Sequence, residues 1–204
     1  MSFDSPEEAV VFLDDCSTQM RHAYWQDKNL EECLTIALHG IESGDEAVQD
    51  FPDSLFDILS CVKRLCYDVA SFTWIGWDEV GIHPTASDSD VGLAMAKRNL
   101  QLAIRLDKGD LPTSRAYWMV GAHLLTKGKL DSALDEFDEA ETYAVLSGSK
   151  PDILLCQGFM LLCQKLLGTV QEEILSSHLE QMSREEDSAP FAEQIETVVR
   201  VLAR

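Results

Sequence analysis

The sequence predicts an all-α fold of antiparallel helical hairpins, and three observations predict it. Apolar residues recur with helical period through most of the 204 residues, while strand signals such as Asn-Gly or Asp-Gly between alternating runs are nearly absent. Tyr117-x2-Val120-Gly121-x2-Leu124, a Thr126-Lys127-Gly128-Lys129 turn and Ala133-x3-Phe137-x2-Ala140 read as two helices packed on each other, the single Gly admitting its partner closely. The same Ala, bulky, Ala spacing occurs 37 residues earlier in Ala96-x3-Leu100-x2-Ala103.

In chain order, Ser5-Pro6-Glu7-Glu8 supplies an N-cap, a Pro at the first helical position and a Glu three residues after the cap, starting a helix to about Gln26. Asn29 caps a second helix with Leu30, Cys33, Leu34, Ala37, Leu38 and Ile41 on one face, which Gly44 is expected to end. Pro52-Asp53-Ser54 opens a third, strongly apolar helix to about Ile75. Periodicity then fails from Gly76 to Ser89, a loop longer than most helix connections. Ser89 or Asp90 caps the fourth helix, which Asp107-Lys108-Gly109-Asp110-Leu111-Pro112 ends. The fifth and sixth helices are the hairpin above, the sixth continuing to Leu146. A seventh covers Asp152 to Leu167 and an eighth about Val170 to Met182. After the charged linker Arg184–Ser188, Phe191, Ile195, Val198, Val199 and Leu202 form the stripe of a terminal amphipathic helix.

The chain carries 16 Lys and Arg against 36 Asp and Glu, a formal net charge of −20. That charge works against nucleic acid and anionic membranes and favours a basic partner. The acid is uneven: residues 1–60 hold 14 acidic and 2 basic side chains, 61–130 hold 7 and 9, and 131–204 hold 15 and 5. The N-terminus lacks a basic region followed by a long apolar run, so a secretory signal is not expected, and no segment reads as a membrane span. Six cysteines lie within apolar helical runs without metal-ribbon or thiol-oxidoreductase spacing. They read as reduced core thiols in a cytoplasmic protein, with a redox role for Cys61 and Cys66 or Cys156 and Cys163 as the alternative. No cofactor or metal is expected.

The residues from Arg115 to Ala140 resemble a tetratricopeptide repeat, whose pattern sets Leu, Gly and Tyr on one helix and Ala and Phe on the next. The resemblance extends in outline over about 180 residues, as hairpins at about 5–44, 52–108, 113–146 and 152–182 with a capping helix at about 189–203. The first hairpin departs from the pattern, because Arg21 stands where a small residue should let the helices touch. The resemblance implies a short, irregular right-handed solenoid in one domain, the last helix covering its apolar end. A compact helical bundle containing one repeat-like hairpin is the alternative.

It further implies that the first helix of each hairpin lines a concave groove. In the best-matched hairpin the groove positions are Arg115, Trp118, Ala122 and Leu125; the same register gives His22 and Trp25 in the first hairpin and Arg64, Tyr67, Ser71 and Trp74 in the second. Trp118 either anchors a peptide or packs on a neighbouring helix. The aromatic loop around Trp77 and Ile82 is expected to fold back as a core plug, with a contact loop as the alternative. The carboxylates of Asp131–Glu139 are a solvated face or a surface that steers a basic partner.

Enzymatic signatures are missing. Lys127-Gly128-Lys129 lacks phosphate-loop glycine spacing and the following Ser or Thr, and the five His are scattered. The expectation is a non-catalytic adaptor or chaperone-like module that captures a peptide or protein segment; a constitutive subunit of a homo- or hetero-oligomer is the alternative, and an enzyme without a recognisable motif a remote one.

Overall fold

The computed structural model describes residues 2–204. Among them are nine α-helices, two single 3-10 turns and no strand. The helices are α1 (Pro6–Trp25), α2 (Leu30–Asp50), α3 (Leu55–Phe72), α4 (Ala86–Arg105), α5 (Asp110–Thr126), α6 (Leu130–Ser147), α7 (Lys150–Leu166), α8 (Glu172–Ser183) and α9 (Ala189–Leu202). No helix of the described residues is long and apolar enough to cross a membrane.

The chain forms two compact units. The first holds the residues up to Thr73 together with Val80–Asp107, and the second holds Trp74–Glu79 and Lys108–Arg204. Neighbouring helices pack in pairs in both: α1 with α2, α2 with α3 and α3 with α4 in the first, and α5 with α6, α6 with α7 and α7 with α8 in the second, where α9 packs on α7 and α8.

Local chemistry explains most boundaries. Ser5 Oγ accepts the Glu8 amide and Asn29 Oδ1 accepts the Glu32 amide, so both expected caps form. The expected end of α2 at Gly44 is corrected: α2 runs on to Asp50. Gly44 is a close-contact glycine, not a terminator, since a Cβ there would lie 2.4 Å from Val62 Cγ2 of α3. One turn earlier, a Cβ at Gly40 would lie 3.0 Å from Leu65 Cδ1 and 3.1 Å from Cys16 Cβ. The small residues that let α1, α2 and α3 meet are therefore on α2. That relieves Arg21 of the small-residue role the repeat pattern assigns to its position.

Between α3 and α4 the connection lies earlier than expected, at residues 73–85 and not 76–89, and holds the 3-10 turn Ile75–Trp77. Thr85, not Ser89 or Asp90, caps α4 through a reciprocal box in which Thr85 Oγ1 accepts the Asp88 amide and Asp88 Oδ2 accepts the Thr85 amide. At the other end α3 stops at Phe72, and the Thr73 hydroxyl donates to the Val69 carbonyl at 2.7 Å.

The α5–α6 pair matches the hairpin expected from sequence. Ala133, Phe137 and Ala140 are all fully buried, and a Cβ at Gly121 would meet the Phe137 ring at 2.7 Å. The Ser114 hydroxyl donates to the Ala140 carbonyl at 2.7 Å, and Tyr117 stacks on Tyr143 with centroids 5.5 Å apart. Such contacts fix the register of the pair by shape and by hydrogen bonding together.

Candidate functional site

In the first unit, α1 and α3 lie side by side and point the same way. The Cys61 thiol reaches Asp14 and Arg21 reaches Asp68, each across 47 residues of chain, so the offset between the helices is constant. Antiparallel neighbours would show a constant sum of residue numbers instead. Between the other two helices of this unit, Arg98 of α4 pairs with Asp45 of α2.

The parallel pair leaves a shared outer face. On α1, Glu7, Val11, Asp14, Thr18, Arg21 and Trp25 recur at i, i+4, i+7, i+11, i+14 and i+18, and so follow one side of the helix. On α3, Asp57, Ser60, Arg64, Tyr67 and Ser71 do the same at i, i+3, i+7, i+10 and i+14. From Glu7 to Trp25 the face is about 27 Å long at 1.5 Å per residue.

Two ion pairs cross it. Arg64 binds Asp14 near the middle, and Arg21 donates from Nε to Asp68 Oδ2 at 2.9 Å, with Nη2 at 2.8 Å. Asp68 is buried, and burial pushes its carboxyl above the ordinary value although Arg21, and more weakly Arg64 and Ser17, act in the opposite direction. The arginines hold the face together and leave little cationic charge to spare.

Trp25 ends the face and is 48% exposed. Its ring meets Tyr24 and Phe72 edge-on, with centroids at 4.8 and 5.8 Å, while the Lys28 ammonium lies 5.4 Å from its centroid. Tyr24 stacks on Phe72 at 3.9 Å, which holds the supporting edge rigid. Beside Trp25 the exposed His22 Nδ1 lies 3.0 Å from Asp27 Oδ2. Of the residues expected to line a groove, His22, Trp25, Arg64 and the half-buried Tyr67 thus lie on this unit and around one face.

At the other end, near the first turns of α1 and α3, is a shallow pocket of about 290 Å³ lined by Pro6, Glu7, Val10, Val11, Ser54 and Asp57. Val11 is 59% exposed there. Sequence reading missed Val11, Asp14, Arg21 and Asp68. The signal was the 47-residue offset, which only the packing of α1 on α3 reveals.

The remaining groove candidates, Trp74, Arg115, Trp118 and Leu125, belong to the second unit. Trp74 and Trp118 are 2% and 5% exposed and meet edge-on, with centroids 5.4 Å apart. Phe159 packs on Trp118 at 5.3 Å and on Phe137 at 5.2 Å, so these aromatics form a continuous core. The Trp74 indole N–H donates to the Ala122 carbonyl at 2.9 Å, whereas that of Trp118 has no partner among the described residues. Leu125 is buried as well. In this conformation none of the three offers a ligand more than an edge.

Arg115 is engaged within the chain. Its Nε and Nη2 donate to Asp152 Oδ1 and Oδ2 at 2.8 and 3.2 Å, joining α5 to α7, and the Ser149 hydroxyl donates to the same Oδ2 at 2.6 Å. Asp152 is buried, so this bidentate pair is structural.

The aromatic loop divides between the two units. Ile82 is buried in the first unit's core, and Trp77 of the second packs on Trp74 at 5.0 Å while remaining over a third exposed. On α6, Asp131, Asp135, Asp138 and Glu139 are exposed, opposite the buried Ala133, Phe137 and Ala140. All six cysteines are buried, unpaired thiols; burial pushes Cys33, Cys66, Cys156 and Cys163 up to about 12. Among the described residues no His, Cys, Asp and Glu cluster could hold a metal ion. Comparison of the chain with family models, with curated proteins and with solved structures found no match in any of the three.

Proposed function

We propose that the protein is a non-catalytic interaction scaffold that captures a peptide or protein segment on the outer face of α1 and α3. One observation carries this reading: first helices of successive hairpins lie parallel and expose a face about 27 Å long that ends in a half-exposed, rigidly supported Trp25. Parallel packing of alternate helices is how tetratricopeptide-like hairpins stack, and a right-handed stack of this kind presents such a face as its binding surface. Trp, Tyr and Arg are the residues that most often dominate interface energetics, and Trp25, Tyr67, Arg21 and Arg64 are all present.

Affinity capture from the source cell, compared between the native chain and a Trp25→Ala, Val11→Ser variant, tests the proposal. Both positions are exposed, so the variant is expected to keep native helicity and melting temperature while losing the specific partner by about tenfold or more. Equal recovery of every partner by the folded variant would sink the α1–α3 face as the site.

A further inference from the structure

We infer that the α1–α3 face takes a segment in which a lysine or arginine neighbours an aliphatic side chain, and that this pair sits at the Glu7, Val11 and Asp57 end. This rests on the scaffold reading above and adds the chemistry of the partner.

The pocket there holds about 290 Å³, room for one aliphatic side chain, and its apolar lining is Pro6, Val10 and Val11. Glu7 of α1 and Asp57 of α3 both line it. Neither carboxylate makes a hydrogen bond or ion pair with the described residues, in contrast to Asp14 and Asp68 further along the face.

Both carboxylates lie in the first turn of their helices, where they offset the positive helix ends. The magnitudes leave a surplus. Each helix end supplies about half a positive charge, so two full negative charges exceed two helix ends by about one charge. The surrounding chain deepens the excess, since residues 1–60 carry 14 acidic and 2 basic side chains. An acidic segment, or a second copy of a chain with net charge −20, would be repelled from this end. An apolar lining with two carboxylates beside it selects a side chain that is aliphatic and a neighbour that is cationic.

The test uses three twelve-residue probe peptides: one amphipathic and built from Lys and Leu, one with Glu in place of Lys, and one with Ser in place of Leu. Binding is followed by backbone amide chemical shifts of the full chain. The Lys–Leu peptide is expected to move the amides of Val10, Val11, Ser54 and Asp57 first. The other two should bind at least about tenfold more weakly, because each lacks one half of the recognition.

Two folded variants separate the contributions. Glu7→Gln with Asp57→Asn should weaken the Lys–Leu peptide by about three- to tenfold at low salt and by much less at high salt. Val11→Ser should weaken it at both salt concentrations. If the Glu–Leu peptide binds the α1–α3 face as well as the Lys–Leu peptide, the cationic preference is overturned while the face survives as a binding surface. Shifts spread over the acidic side of α6 instead of the pocket overturn the assigned place. No peptide moving any amide of α1 or α3 removes the scaffold reading itself.

Discussion

Trp74 and Trp118 occupy one aromatic cluster with nearly equal burial and differ in one atom's surroundings. The Trp74 N–H donates to the Ala122 carbonyl at 2.9 Å, while the Trp118 N–H is buried without an acceptor among the described residues. Replacing each by Phe removes a similar volume, so the difference between the two variants isolates the hydrogen bond. Trp74→Phe is expected to be the more destabilising by about 0.5–1.5 kcal/mol, measured by urea unfolding. Equal losses would mean that the indole bond contributes nothing net. Asp68 and Arg21 make a second contrast. Burial holds the Asp68 carboxyl above its ordinary 3.8, so its ionised form is a cost that appears as pH rises through the folded value and is absent below 3.8. Arg21 offsets that cost. Arg21→Ala should lose about 1–3 kcal/mol at pH 7, less than for a fully buried pair because Arg21 is half exposed and Arg64 still acts on Asp68. Asp68→Asn should stay within about 1 kcal/mol of the native chain, and the Arg21→Ala deficit should shrink as pH falls and Asp68 protonates.

Helices were legible in this sequence wherever chemistry and period agreed, as with Ser5, Asn29 and the Gly121–Phe137 contact of α5 and α6. They were misread where one residue type serves two purposes. Glycine ends helices and also admits close neighbours, and nothing local to Gly44 distinguishes the two; the deciding contact is Val62, on another helix. The apolar period that carries α3 onward through Trp74 and Ile75 likewise hides that α3 stops at Phe72. At the candidate site, Trp25, His22, Arg64 and Tyr67 were legible from helical register. Their partners Asp14 and Asp68 were not, because pairing across 47 or 50 residues depends on how the hairpins stack. Trp118 and Leu125, expected to line a groove, are buried, which register alone does not reveal, since the same stripe can face a groove or another helix. Gly44→Ala tests the close-contact assignment. Alanine gains about 1 kcal/mol in helix propensity, yet a Cβ 2.4 Å from Val62 Cγ2 forces repacking that costs about 1–3 kcal/mol or more. The variant should therefore melt lower than the native protein. Val62→Ala should relieve the clash, so that the double variant loses less than the two single losses added together.

Across the whole chain, buried thiols tie stability to alkaline pH. Cys33 and Cys66 lie in the first unit, and Cys156 and Cys163 in the second; each is pushed from the ordinary 9.0 up to about 12, with burial as the largest cause. Between those values the folded chain keeps protons that the unfolded chain releases. Unfolding is then favoured by proton loss, so the stabilisation is complete below pH 9 and is lost as pH rises toward 12. The slope is about 1.4 kcal/mol per pH unit for each thiol once the unfolded form is ionised. Two thiols in each unit give a loss of about 3 kcal/mol per pH unit, a large share of the 5–15 kcal/mol typical of a folded domain. Denaturant midpoints should therefore hold nearly level up to pH 9 and fall steeply by pH 10. Lysine and tyrosine titration and the −20 charge also act in this range, so the control is a variant with all four cysteines replaced by alanine. It starts less stable because four side chains are truncated, but its midpoint should fall more gently above pH 9. A parallel fall in both proteins would assign the alkaline loss to the surface charge and not to the buried thiols. The same thiols should resist aromatic disulfide reagents in the folded protein at pH 8 and react together on unfolding, because the thiolate is the attacking form.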